Sequence, residues 1–249
     1  LEVNTLSKHF GGVRAVDGLD LRVERGEIFG LIGPNGSGKS TLVNVICGVL
    51  QPTSGEILFE GRSLDGQAPS ARLRTGIART FQNIRLFGGL TVWQNLWVAG
   101  NSTEDIRSQS IVSRWIGTST RLKREIEVML EFSDLADKAD VLASNLAFGE
   151  QRRLELARAI AAKPRLLLLD EPAAGMNQAE VGELEKRLRS LRKQGMTIVL
   201  VEHVMQLVMG VTDRIAVLNF GSKIAEGTPE NIQQDKAVQT AYLGRSDEG

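Results

Sequence analysis

The stretch EIFGLIGPNGSGKSTLVNVICG, Glu27–Gly48, decides the fold. EIFGLIG is an apolar run of strand length, and TLVNVICGVL is an amphipathic helix that Gly48 and Pro52 bring to a stop. Between them GPNGSGKST fits the phosphate-loop pattern, built here of Gly33, Pro34, Asn35, Gly36, Ser37, Gly38, Lys39, Ser40 and Thr41. Its glycines let successive backbone N–H groups curl around phosphate oxygens at a helix N-terminus. Lys39 is expected to reach β- and γ-phosphates, and Ser40 to place its hydroxyl on Mg2+. A glycine turn with an exposed lysine is the plain alternative, but strand before and helix after are the context that the motif requires.

Outward from this unit, the first twenty-five residues alternate apolar and polar, and read as short antiparallel strands with Gly11-Gly12 and Asp17-Gly18 as turns. SGEILFEGRSL reads as a further hairpin. From about Leu90 to Ala162 the pattern is mostly helical, opening on a capping box of Thr91 and Gln94. Periodicity fades between Gly100 and Thr120, around Trp115, which marks either an insertion or a helix without a clear pattern. RLKREIEVMLEFSDL then resumes an amphipathic helix. The last third alternates strand and helix: RLLLLDEP, a helix over about Ala179–Gln194, TIVLVEH, a helix from Met205, RIAVLN and a GSKIAEG hairpin. The unbroken runs LLLL and IVLV suit strands buried on both faces of a parallel sheet, so the chain is expected to be α/β.

Composition narrows the class. At 249 residues and 42% hydrophobic content the chain is long enough for a substantial core, which argues against disorder. Thirty basic residues balance thirty acidic ones, so no overall field draws it to nucleic acid or anionic lipid. One cysteine, Cys47, and two histidines, His9 and His203, leave no disulfide framework and little for a metal centre of Cys or His, as in a reduced, intracellular chain. Cys47 is expected to be a small buried residue without redox function. The longest apolar runs fall far below the ~18 residues of a membrane span. No export signal is visible, and a start at Leu1 points to trimmed first residues.

Four further segments carry chemistry. LLLLDEP ends a hydrophobic strand on adjacent carboxylates, whose side chains point in different directions. Asp170 is placed to hold Mg2+ directly or through water, and Glu171 to orient and polarise an attacking water, since phosphoryl transfer needs positioning and electrostatics more than covalent chemistry; in isolation the pair also reads as a solvated turn. His203, after TIVLVE, is expected at the same sheet edge and able to donate to a γ-phosphate, although a lone histidine there is more often structural. Gln82 in RTFQNIRLF is a neutral amide able to touch Mg2+ or water. LAFGEQRRLELARAI, Leu146–Ile160, is a helix with Leu154, Ala157 and Ile160 at helical spacing, Gly149 at its start, and an N-terminus suited to phosphate; the plain alternative is a packed helix with an arginine-rich outer side.

The order of phosphate loop, Gln82, glycine-containing helix start, LLLLDEP and His203 resembles the ATP-binding subunits of ABC transporters over nearly the whole chain. The resemblance implies a phosphate-loop NTPase with a RecA-like parallel-sheet core, an antiparallel β subdomain and a helical subdomain. It implies one domain over 1–249, with 1–87 and 163–249 as the nucleotide-binding core and 88–162 as the helical part. Leu146, Ala147, Phe148, Gly149 and Glu150 stand in the place of the family's LSGGQ signature, which acts on the partner's ATP. Ala147 replaces the serine that contacts the γ-phosphate, Phe148 replaces a glycine, and AGMN, Ala174–Asn177, replaces SALD. FGEQRRLELARA, DEPAAGMN, VEHVMQLVMGVTDRIAVLN and AYLG are similar to the ATPases of branched-chain and neutral amino acid importers, and RTFQNIRLFGGLTV to the longer of their paired ATPases. By the same resemblance Phe10 stacks on adenine and Val16 packs beside it.

A family member of this kind uses ATP and Mg2+ and pairs as a homodimer, or a heterodimer with a sibling ATPase, enclosing two nucleotides. It drives transmembrane permease subunits, served indirectly by a solute-binding protein, from the cytoplasmic face of the membrane, without nucleic acid. Helical residues after Gln82, including Leu86, Phe87, Trp93 and Trp97, are then candidates for the permease groove, with core packing favoured for the tryptophans. Two other classes compete: a soluble ABC-type protein acting on DNA or ribosomes, which lacks here the expected coiled coils or tandem ATPases, and a small-molecule kinase, which needs an arginine lid instead of the signature helix.

Overall fold

The computed structural model describes residues 1–80, 84–100 and 120–243. Two sheets share one core. The antiparallel sheet runs β2 (Val13–Arg22), β1 (Glu2–Phe10), β4 (Ser54–Phe59), β5 (Arg62–Ser63). The second has six strands in the order β10 (Ser222–Gly227), β9 (Arg214–Asn219), β3 (Ile28–Ile32), β8 (Thr197–Val201), β7 (Leu166–Asp170), β6 (Ile77–Arg79), parallel except for β10.

The LLLL and IVLV runs take the form they do because both faces of the parallel sheet are covered. Leu166, Leu168, Val199 and Val201 point toward the antiparallel sheet and helix α1 (Lys39–Ile46), where they meet Leu6, Leu19, Leu42 and Ile57. Leu167, Leu169, Ile198 and Leu200 point the other way, onto α6 (Gln178–Lys193) and α7 (Met205–Val211) through Val181, Leu184, Leu188 and Leu207. Leu168 is wholly buried between the two sheets. Leu168→Ala should therefore lower stability by about 2–5 kcal/mol, the loss of a buried leucine plus the cavity it leaves. Urea unfolding measures this, and a loss below about 1 kcal/mol would show that the site collapses without cost.

A second body of helices packs beside the sheet: α3 (Val92–Gly100), α4 (Thr120–Phe132) and α5 (Phe148–Ala161), around Leu96, Ile126, Leu130 and Leu154. Thr91 and Gln94 form the reciprocal capping box that the sequence predicts, Thr91 N to Gln94 Oε1 at 2.9 Å and Gln94 N to Thr91 Oγ1 at 3.2 Å. The short α2 (Pro69–Arg74) lies before β6, and α8 (Pro229–Gln234) and α9 (Lys236–Leu243) close the edge by β9 with Ile232 and Val238. Among the described residues no helix is long and apolar enough to cross a membrane.

Two expectations change, and a third is not reached. Asp17-Gly18 is no turn: both lie within β2, where Gly18 adopts a left-handed φ of 60° beside register shifts in the β1–β2 ladder, as an irregular strand requires. Leu86 and Phe87 precede α3 in non-helical chain rather than lying on a helix. The segment Gly100–Thr120 falls, except for its ends, outside the described residues.

Candidate active site

Strand β3 delivers the chain into the phosphate loop, and neighbouring backbone leaves room there for glycine alone. Gly33 has φ 151°, and a Cβ on it would lie 2.2 Å from the Leu218 carbonyl at the end of β9. Gly38, the left-handed residue that precedes α1, would bring a Cβ to 2.3 Å from the Ala15 carbonyl of β2. No side chain caps α1, so its positive end faces the loop. Lys39 is buried, and its Nζ donates to Gly33 O at 2.7 Å and Pro34 O at 3.0 Å. The β9–β10 turn bolts the loop to the antiparallel sheet: Gly221 N donates to Ser37 O at 3.0 Å, and Asp17 N donates to Gly221 O at 2.9 Å.

The loop opens on a cleft of about 300 Å³ lined by Asn35–Thr41, Val13, Arg14, Ala15, Phe220 and Glu171. Val13, Arg14, Ala15 and Phe220 escape a reading of the sequence, because they reach the cleft only through the pairing of distant strands. Strand alternation turns Val16 inward, and it is fully buried in the core between the sheets, while its neighbour Ala15 lines the cleft. Phe10 is not core: it is about half exposed at the end of β1, opposite Val13 in the ladder, with Lys8 Nζ 5.0 Å from its ring centre.

The parallel sheet brings Asp170, Glu171 and His203 to its C-terminal edge. Asp170 is buried at the end of β7, and its Oδ2 accepts from Arg79 Nη2 at 2.7 Å. The other arm of Arg79 donates to Asn44 Oδ1 at 2.6 Å, so α1, β6 and β7 meet on one guanidinium. Glu171 has a left-handed φ of 50°, a conformation that costs a non-glycine residue on the order of 1–3 kcal/mol, and its N–H donates to Val201 O at 2.8 Å. His203 Nδ1 stands 3.9 Å from Glu171 Oε1 and 3.8 Å from Glu202 Oε2. Gln82 lies outside the described residues.

The signature segment is elsewhere. None of Leu146–Glu150 lines the cleft. Leu146 is buried in the helical core, and Ala147 N donates to Glu150 Oε2 at 3.0 Å, half a capping box because Ala147 has no oxygen to return. The Lys138 ammonium beside Glu150 holds its carboxyl below the usual range. Phe148 is exposed under Arg152, whose guanidinium carbon lies 5.4 Å from the ring centre. Gly149 allows close approach to α6, where a Cβ would meet Glu180 Oε1 at 2.8 Å. The arginine-rich outer side expected of α5 is only partial: Arg152 and Glu155 are buried as a pair 3.5 Å apart, at a cavity of about 230 Å³ shared with α6. On the far side Phe87 is exposed beneath Arg158, and Trp93 and Trp97 are half-buried against the helical core. Cys47, half-buried at the end of α1 rather than fully buried, packs against the core, and burial pushes its thiol up to about 11.

A glycine cradle at a helix start on the C-terminal edge of a parallel sheet defines a nucleotide-binding α/β protein. Comparison with known proteins narrows the class: residues 16–174 match the ABC transporter family, and residues 222–248 match the branched-chain amino acid ATP-binding cassette transporter family. The chain belongs to the ABC transporter family, as an ATP-hydrolysing cassette. It is 41% identical to the high-affinity branched-chain amino acid transport ATP-binding protein BraF of Pseudomonas aeruginosa, over 99% of this chain and 98% of that protein. With LivG of Escherichia coli K12, which bears the same description, the identity is 42% over the same shares. Among solved structures, a nucleotide-free ATP-binding cassette from an ABC transporter superposes with a TM-score of 0.84 at 30% identity, over 98% of each chain. The dimeric bacterial ABC transporter cassette MJ0796 superposes with a TM-score of 0.78 at 25% identity, over 92% of this chain and 98% of that one.

Proposed function

We propose that this chain powers the import of branched-chain or other neutral amino acids, by ATP-driven closure of a cassette dimer coupled to a separate permease. The observation that carries the reading is its end-to-end identity with two branched-chain amino acid transport ATP-binding proteins. The chain would work at the cytoplasmic face of the membrane, held there by the permease, with residues 88–162 as a helical arm on a core of 1–87 and 163–249.

In this account the amides of Gly33–Thr41 and the start of α1 hold the phosphates, and Lys39 turns from the loop carbonyls to the β- and γ-phosphate oxygens. The exposed Phe10 offers a ring face to adenine, with Val13 and Ala15 beside the base in the place expected of Val16. Ser40, Asp170 and Gln82 would hold Mg2+. They suit a hard cation that keeps its waters and takes phosphate oxygens, because all three offer oxygen and Asp170 meets Arg79 through Oδ2, leaving Oδ1 for the cation. Bound Mg2+ supplies neutralisation of the phosphate charge. Glu171 takes a proton from the attacking water, and His203 donates to the γ-phosphate.

Because Leu146–Glu150 lies off the chain's own cleft, its exposed helix start is free to complete the cleft of a second cassette, a sibling or another copy. Without the usual serine at Ala147, that contact is made by backbone N–H groups and the helix dipole. Nucleotide then favours the closed pair, and hydrolysis releases it.

Vesicles holding the chain with its cognate permease and solute-binding protein test the substrate. The expected result is accumulation of labelled leucine that needs Mg-ATP and is suppressed by isoleucine and valine. ATP-dependent uptake of another solute class, indifferent to these amino acids, would contradict the substrate and leave the motor reading standing.

A further inference from the structure

We infer that Glu202 is a positioning residue that holds the catalytic turn at Glu171 and the histidine at 203 in register. The inference rests on the roles proposed above for Glu171 and His203. Glu202 directly follows β8, and its side chain is fully buried. A buried carboxylate is costly unless hydrogen bonds replace its water. Here three backbone donors do so, and they come from two separate stretches of chain. Oε1 accepts from Ala173 N at 2.8 Å, in the turn after Glu171. Oε2 accepts from His203 N at 2.8 Å and Val204 N at 3.0 Å.

A second tie crosses the same gap in the same sense, from Glu171 N to Val201 O at 2.8 Å. Together the two ties pin the ends of β7 and β8 to each other, with Glu171 Oε1 and His203 Nδ1 3.9 Å apart on the open side. Glu171 occupies a left-handed conformation that it would leave if the turn were released, so something must hold the turn from behind. Glu202 does this without touching the cleft, whose lining includes Glu171 but not Glu202. A carboxyl group with two accepting oxygens suits this place, because all three backbone groups bonded to it are donors. A glutamine of the same shape sets an NH2 against at least one N–H.

The test compares Glu202→Gln with Glu171→Gln in the full chain assembled with its permease and partner cassette for turnover, and in the purified chain for equilibrium Mg-ATP binding and backbone hydrogen exchange. For Glu202→Gln the expected result is a kcat lowered about ten- to a hundredfold by misplacement of the reacting groups. Mg-ATP affinity should stay within about twofold, because the phosphate loop is untouched. Exchange should speed up at Ala173, His203 and Val204 and stay unchanged over Gly33–Thr41. A kcat within about twofold of wild type, while Glu171→Gln is inactive, overturns the role of Glu202 alone. Retained hydrolysis in Glu171→Gln overturns the underlying reading instead. A parallel loss of ATP affinity and turnover makes Glu202 a general structural residue and also overturns the inference. If Glu202→Gln does not fold, Glu202→Asp, which keeps the charge and shortens the reach, is read by the same criteria. Failure of both to fold assigns Glu202 to stability only, against the proposal.

Discussion

Glu171→Gln is expected to bind Mg-ATP as the wild-type chain does while hydrolysis falls by about 10²–10⁴-fold, the usual contribution of a positioned general base. Glu171 lines the cleft, and its backbone N–H donates to Val201 O; the amide variant changes neither that bond nor Asp170 nor the Glu202 tie to Ala173 N. Binding without turnover should also trap the closed pair, visible as an ATP-dependent dimer with the sibling cassette or a second copy. Single-turnover hydrolysis beside equilibrium binding measures this, and undiminished hydrolysis would remove the carboxylate from the mechanism.

Lys39→Ala is expected to fail one step earlier. The ammonium is buried and held over the loop by two carbonyls, which in the proposed role it exchanges for phosphate oxygens. A hydrogen bond to a charged group contributes about 1.5–3 kcal/mol, so losing two weakens ATP binding by about a hundredfold or more. The fold should survive, because α1 is held by Leu42, Val43, Val45 and Ile46 in the core between the sheets. A titration with Mg-ATP, paired with thermal unfolding, separates the two effects. Near wild-type affinity in a folded Lys39→Ala protein would mean that the loop does not grip the nucleotide as described.

The parts of this architecture legible in the sequence are those where a local pattern has one physical cause. Leu166–Leu169 and Ile198–Val201 are continuous because both faces of their strands are buried, so composition itself reports the parallel sheet. GPNGSGKST is legible because Gly33 and Gly38 meet backbone that no Cβ could share. What stayed hidden depends on partners far away in the chain. Arg79 reads as an ordinary charge ending a short strand, and only the fold brings it across 91 positions to Asp170. Glu202 reads as a solvated neighbour of His203, and only the packing of β7 against β8 buries it. Val16 and Ala15 differ by one step in an alternating strand, and which of the two faces the cleft depends on which face the second sheet covers. Gly18 misleads for a related reason, since glycine marks an irregular strand as readily as a turn.

The most direct measurement is an equilibrium titration of the purified wild-type chain with a fluorescent ATP analogue and Mg2+, repeated with unlabelled ATP as competitor and with Lys39→Ala. Saturable binding that ATP displaces, and that Lys39→Ala weakens by about two decades, is the predicted result. A folded wild-type chain that binds no nucleotide at millimolar Mg-ATP would contradict the account at its root.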